Sequence, residues 1–305
     1  MAPQKAFMVP DNGSTAMRPH PAGYCASANC VANPTRRVMN MKKTRTPMRN
    51  PPRGDNRRLL RITGLPAVSA LFAAAPERVE KLFFDRNTRV QAGAFCSQLA
   101  RSRKPYHLVE AAELERVAGT MLHGGIVALA QPRPVLDFEP TEAARWAHEH
   151  RLLLLLDGIG NPHNFGAIVR TAAFLGAPRI VLSEHPAQAM PSDASYRIAE
   201  GGMEHVELYR GRHFVQALKT LRQSHRLVGT AAEGGKPVGS LNRSERPFAL
   251  ILGNEEDGIP PETLRACDDI VTIPGSGAVQ SLNVAATAAI LIYALNTLSL
   301  RQGSE

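Results

Sequence analysis

Read for hydrophobic and polar positions, the chain changes character twice. Residues 1 to 58 show little apolar periodicity. From Leu59 to about Leu129 short apolar stretches follow one another with mixed helical and strand spacing, and beyond Pro140 continuous apolar runs alternate with helical patterns. In the middle stretch Val79 to Phe84 predicts a strand, Ala92 to Arg103 a helix, His107 to Val109 a short strand, and Glu113 to Leu122 a helix with Leu114, Val117 and Met121 on one face. A turn at His123-Gly124-Gly125 then leads into an apolar strand ending at Leu129.

In the last stretch Thr141 to His148 reads as a helix with Thr141 as its N-cap. The runs Leu152 to Leu156, Arg179 to Leu182, His205 to Leu208, Leu227 to Thr230, Phe248 to Leu252 and Asp269 to Ile273 suit buried strands. Helices are predicted at Asn164 to Leu175, Phe214 to Gln223 and Ser281 to Leu300. Such alternation implies an α/β fold whose mainly parallel sheet is covered on both faces, with ligands near the carboxyl ends of the strands. Pro132, Pro134 and Pro140 interrupt regular structure and mark a linker. The expected division is an arm over 1–58, a small α/β domain over 59–131, a linker over 132–150 and a second α/β domain over 151–301. The last helix is apolar almost all round. Asn296, Thr297 and Ser299 keep its run below the roughly 20 residues a bilayer crossing needs, so a buried helix at a subunit interface is expected, and no membrane span.

Charge changes this picture in one place. Of the formal net charge of +9, the whole excess sits in residues 1–58, where eleven Lys and Arg face only Asp11 and Asp55. High basicity therefore says little about the folded part. An arm rich in Pro, Asn and Thr buries too little surface to offset the entropy of ordering, and disorder is expected there. It is either an RNA-tethering arm, whose attraction would weaken steeply with salt, or a solvated tail. Met39, Met41 and Met48 offer later starts, no secretory signal is expected, and an Arg-rich transit peptide is left open. Cys25, Cys30, Cys96 and Cys267 are too scattered for a zinc module or a disulfide framework, which points to a reducing, cytoplasmic compartment and to no bound metal.

Three segments carry candidate chemistry. In the first, Asp157 to Ala172, a buried strand ends in a Gly, Asn and Pro turn and a helix follows. Arg170, among core-like neighbours, is placed to bind phosphate or stabilise a developing negative charge, or else to reach solvent from a packed helix. Asn164 is expected to cap the helix or to orient Arg170 or the substrate. In the second, Gly253-Asn254-Glu255-Glu256-Asp257-Gly258 follows a strand directly. Its carboxylates lack the spacing of a calcium loop, so Glu255 reads as an orienting acid and Glu256 and Asp257 as solvated charge. In the third, Ile273-Pro274-Gly275-Ser276-Gly277 leads to Ser281-Leu282-Asn283-Val284. Strand, Gly-rich loop and helix expose backbone amides to a ligand. Gln280 breaks the dinucleotide fingerprint and no Lys completes a triphosphate loop, so an adenosyl ligand fits better.

Together these segments resemble, in order and spacing, the three signature motifs of the SpoU (TrmH-like) branch of the SPOUT RNA methyltransferases. Asn164, Gly166, Arg170, Thr171 and Ala172 match Asn-x-Gly-x-x-x-Arg-Thr-Ala; Gly253, Glu255 and Gly258 match Gly-x-Glu-x-x-Gly; Ile273, Pro274 and Ser281 to Val284 match the third. The likeness covers about residues 152 to 298, and the stretch from Ile62-x-Gly64 to Leu129 is similar to the family's ribosomal-protein-like substrate-binding domain. Gly275, Asn254, Glu256 and Gly124 depart from the commoner Met, Ser, Gly and Gln.

The resemblance implies a deep C-terminal trefoil knot, S-adenosylmethionine as cofactor held near Thr230, Gly253, Ile273 and Leu282, and a homodimer in which Arg170 approaches the cofactor of the partner subunit. It implies methylation of a ribose 2'-hydroxyl on structured RNA, ribosomal or transfer, with Arg170 stabilising the oxyanion while Asn164, Glu255, Ser281 and Asn283 orient Arg170 and the nucleotide. Two rivals are an RNA-binding or ribosome-assembly protein that keeps this fold without catalysis, and a nucleotide-dependent oxidoreductase, which the broken fingerprint disfavours.

Overall fold

The computed structural model describes residues 59–299; the basic arm and its expected disorder lie outside the described residues. The first sheet is built from β1 (Leu60–Thr63), β2 (Val79–Phe84), β3 (Tyr106–Leu108) and β4 (Ile126–Ala130), in the order β1-β4-β2-β3, with only β2 and β3 parallel. Helices α1 (Leu65–Ala74), α2 (Arg89–Arg101) and α3 (Ala111–Ala118) accompany it. The helix predicted to reach Leu122 stops early because Gly119 adopts the left-handed conformation that closes a helix. Met121, expected on the core face, is consequently 77% exposed.

The second sheet has eight strands, all paired in parallel: β5 (Leu136–Asp137), β6 (Leu153–Asp157), β7 (Arg179–Ser183), β8 (Glu207–Gly211), β9 (Arg226–Thr230), β10 (Lys236–Pro237), β11 (Phe248–Gly253) and β12 (Asp269–Thr272). Their order is β10-β12-β9-β11-β6-β7-β8-β5. Between them run α4 (Pro140–Trp146), α5 (Pro162–Leu175), α6 (Asp193–Ala199), α7 (Phe214–Leu221) and α8 (Pro261–Ala266), and α9 (Val284–Ser299) closes the described chain. Alternation along a strand sends successive side chains to opposite faces. Leu154, Leu156, Leu250 and Leu252 thus pack with Phe165 and Ile168 of α5 and Leu291 and Leu295 of α9, while Leu153, Leu155 and Ile251 pack with Phe214 and Leu218 of α7. Burial on both sides is why these strands read as continuous apolar runs.

Several boundaries differ from the expectation. The Pro-rich stretch read as a linker contributes β5, which pairs with β8, and buries Phe138 against α7. Pro140, not Thr141, opens α4, and no side chain caps it. The strand expected at His205 to Leu208 runs over Glu207–Gly211 behind a short tight turn.

The first sheet is joined to the second by polar contacts. Arg78 donates to both carboxylate oxygens of Glu204, at 2.9 and 2.7 Å, and to the Tyr196 hydroxyl at 3.1 Å, and the Arg61 amide donates to Asp193 at 3.0 Å. Among the described residues no helix is long and apolar enough to cross a membrane.

Candidate active site

The three motif segments meet at the carboxyl ends of neighbouring strands β6, β11, β9 and β12. The first loop leaves β6 at Asp157 and enters α5 at Pro162, where a proline suits the first helical turn because its missing N–H would have no helical partner. Asn161, not Asn164, is the N-cap: its Oδ1 accepts from the His163 amide at 2.8 Å. That leaves the Asn164 side chain free for the site.

Asn164 Nδ2 donates to Glu255 Oε1 at 2.9 Å, and Asn283 Nδ2 donates to Asn164 Oδ1 at 3.1 Å. Glu255 also accepts from the amides of Gly160 at 3.1 Å and Asn161 at 3.3 Å. One polar chain therefore ties all three segments together. Partial burial alone would raise the Glu255 carboxyl, but the donors Asn164, Gly160 and Asn161 outweigh it and hold the group below the usual carboxylate range. Glu256 and Asp257 are exposed, as read from the sequence.

The loop itself is braced by residues the sequence reading passed over. Buried Gln188 accepts from the amides of Gly158 at 3.0 Å and Ile159 at 3.1 Å, and Asn254 donates to the Gly158 carbonyl at 2.7 Å while accepting from the amides of Glu256 and Asp257. A lone Gln in a loop carries no spacing signal. The Asn161-Pro162 pair does, since a capping residue followed by proline marks a helix start.

Arg170 is not part of this chain. It lies more than halfway along α5, and its Nη2 pairs with Glu200 at 3.0 Å, so within one chain Glu255 orients Asn164 and the loop amides instead of the guanidinium. Ser281 is exposed, and no hydrogen bond from its side chain is found among the described residues. Of the residues expected near a cofactor, Thr230 ends β9 and donates from Oγ1 to the Ile251 carbonyl at 3.3 Å. Gly253 ends β11, where any Cβ would collide with the backbone of Gly258. Ile273 follows β12 and packs against the core, and Leu282 is half exposed before α9. The stretch from Pro274 to Val284 holds no charged side chain, and Val279 and Leu282 are exposed. Uncharged backbone donors beside apolar side chains suit an adenosyl group better than a phosphate chain. Among the described residues no cluster of His, Cys, Asp or Glu is arranged to hold a metal ion.

This site, on an eight-stranded parallel sheet preceded by a smaller mixed sheet, defines a class. Residues 151–293 match the SpoU rRNA methylase family and residues 61–136 match the substrate-binding domain of RNA 2'-O ribose methyltransferases. The chain is 32% identical over 237 residues to the 23S rRNA (guanosine-2'-O-)-methyltransferase RlmB of Acinetobacter baylyi, covering 75% of this chain and 94% of that one. It is also 32% identical over 236 residues to YfiF of Escherichia coli, described as an uncharacterized tRNA/rRNA methyltransferase, covering 76% of this chain and 66% of that one. The fold is shared with the AdoMet-bound rRNA methyltransferase of Sinorhizobium meliloti, at a TM-score of 0.65 and 22% identity, over 80% of this chain and 89% of that one. The chain belongs to the SpoU rRNA methylase family.

Proposed function

We propose that the protein transfers a methyl group from S-adenosylmethionine to a ribose 2'-hydroxyl of structured RNA, with ribosomal RNA as the substrate. The observation that carries this reading is the hydrogen-bonded chain Asn283–Asn164–Glu255, which joins the three motif segments beside an uncharged loop. The RlmB relative, named for a guanosine of 23S rRNA, favours ribosomal over transfer RNA. S-adenosylmethionine, when bound, supplies an electrophilic methyl group on sulfur. Thr230, Gly253, Ile273 and Leu282 hold it through the ends of β9, β11 and β12. Arg170 stabilises the negative charge that develops on the 2'-oxygen as the hydroxyl proton passes to solvent water, and Glu255 keeps Asn164 and the first loop in register with Asn283. Residues 59–131 grip RNA and residues 151–301 carry the chemistry.

The site is completed in a homodimer. Arg170 stands apart from the Glu255 chain of its own subunit, and the same two packed helices, α5 and α9, expose Phe174 (87%), Ile290 and Tyr293 (64%). Solvent-facing aromatic groups on adjoining helices suit a buried subunit contact. The strand order, with β12 lying between β10 and β9, supports the trefoil knot. A catalytically silent fold has no observation in its favour.

Arg170→Ala tests the reading. Turnover on ribosomal RNA from cells lacking the gene is expected to fall by about 10³-fold or more, while S-adenosylmethionine binding measured by titration calorimetry is retained. A fully active variant removes Arg170 from the chemistry, and a wild-type dimer that does not bind S-adenosylmethionine removes the reaction.

A further inference from the structure

We infer that Glu200 is a positioning residue for Arg170, holding one edge of its guanidinium so that the other edge meets the RNA. This rests on the reading of Arg170 just given.

The pair is close, with Arg170 Nη2 and Glu200 Oε2 3.0 Å apart, yet both side chains are about half exposed. Such a pair adds little to stability. Its location is costly by contrast. Glu200 follows the last turn of α6 at φ 45° and ψ 45°, in the left-handed region that glycine occupies freely and a residue with a Cβ does not. A glutamate kept in a strained position for a weak ion pair points to its partner and not to the fold.

The surroundings hold Glu200 in place. Ser192 and Ser195 cap the start of α6 reciprocally, and α6 packs on α5 so tightly that a Cβ at Gly166 would lie 2.6 Å from the Ser195 carbonyl oxygen. Tyr196 of α6 receives a hydrogen bond from Arg78, which also pairs with Glu204 beyond Glu200. The turn carrying Glu200 is therefore anchored on both sides. Glu200 and Arg170 share a cleft of about 430 Å³ with Pro66 and Ala70 of α1, so RNA gripped by the smaller sheet and reaching for Arg170 arrives beside Glu200.

A guanidinium has five N–H donors in a planar fork, enough to hold a carboxylate with one edge and present the rest. Without Glu200 the long Arg170 side chain samples other rotamers, and the chance of finding it aligned with the reacting oxygen falls.

Glu200→Gly and Glu200→Gln decide the matter. Glycine relieves the backbone and removes the carboxylate: kcat on ribosomal RNA from cells lacking the gene is expected to drop about tenfold, with KM for S-adenosylmethionine unchanged and Tm equal or higher. Glutamine keeps an acceptor in the same place and is expected to recover part of the loss. Full kcat in Glu200→Gly, a loss accompanied by a fall in Tm, or no recovery in Glu200→Gln overturns the proposal. If Arg170→Ala is itself fully active, the parent reading has failed; if Arg170→Ala is inactive and Glu200→Gly is not, only this inference has.

Discussion

The two ends of the eight-stranded sheet use polar residues in opposite ways. At the amino ends of β9 and β12, charges close on one another: Arg226 pairs with Asp269 at 2.7 Å, Lys236 with Asp269 at 3.2 Å, and Arg222 with Asp268 at 2.8 Å, while His225 is buried among them. Asp269 is nearly buried, and each carboxylate meets a cation. At the opposite, carboxyl end of the sheet the one carboxylate in the polar chain, Glu255 just past β11, meets no cation among the described residues and is held by uncharged donors instead. Parallel packing requires only that both ends be satisfied. The two ends differ in what holds their acids: at the amino end charge is cancelled pair by pair, whereas at the carboxyl end an ionised acid held by uncharged donors fixes the first loop against Asn164, which suits that end to the ligand role proposed for it.

The sharpest way to break this contrast is to remove the key acid from each end. Glu255→Ala releases Asn164 and two loop amides, all accessible to water, so turnover is expected to fall by about 10²-fold with Tm nearly unchanged. Retained turnover would mean that the chain Asn283–Asn164–Glu255 is scaffolding. Asp269→Ala leaves the mostly enclosed Arg226 without its carboxylate and is expected to cost about 3 kcal/mol of stability. Its kcat, measured well below the lowered Tm, should match that of the unaltered protein. Equal stability in urea denaturation would show that the amino-end pairs are ornamental.

The parts visible in the sequence are those where one physical rule acts alone. The runs Leu152 to Leu156 and Phe248 to Leu252 are apolar because both faces are covered, and each is followed within two residues by Gly where the chain must turn, so the strand ends and motif loops were legible. What was hidden depends on rotation and on partners distant in the chain. Asn164 and Arg170 both belong to α5, but six positions on a helix of about 3.6 residues per turn put their side chains on different faces. One joins Glu255 and the other Glu200. Strand β5 was hidden because two residues among prolines show no alternation, and its pairing with β8 comes from far along the chain. Gln188 and Glu200 look like loop polarity until the fold brings them to Gly158 and Arg170.

The smallest expected effect separates the two ends by pH. His225, 1% exposed just before β9, is pushed down to about 4 by burial and, secondarily, by Arg246. The folded protein therefore keeps this ring neutral while the unfolded chain protonates near the ordinary histidine value of 6.5. Below that value the unfolded state binds the extra proton, so the contribution of His225 is complete above pH 6.5 and is lost as pH falls toward 4. Between pH 6.5 and 5 the loss is about 2 kcal/mol. Glu255 has the opposite history. Its carboxyl is lowered, so what it contributes survives until pH falls below the ordinary carboxylate range. Over pH 7 to 5, then, the stability of the protein should decline through the amino end while the polar chain at the carboxyl end stays ionised. Urea denaturation of His225→Gln at both pH values should show a much flatter profile than the unaltered protein. An equally steep decline in the variant would place the sensitive group elsewhere and erase the distinction between a buried ring that must stay neutral at the amino end and a carboxylate that must stay charged at the other.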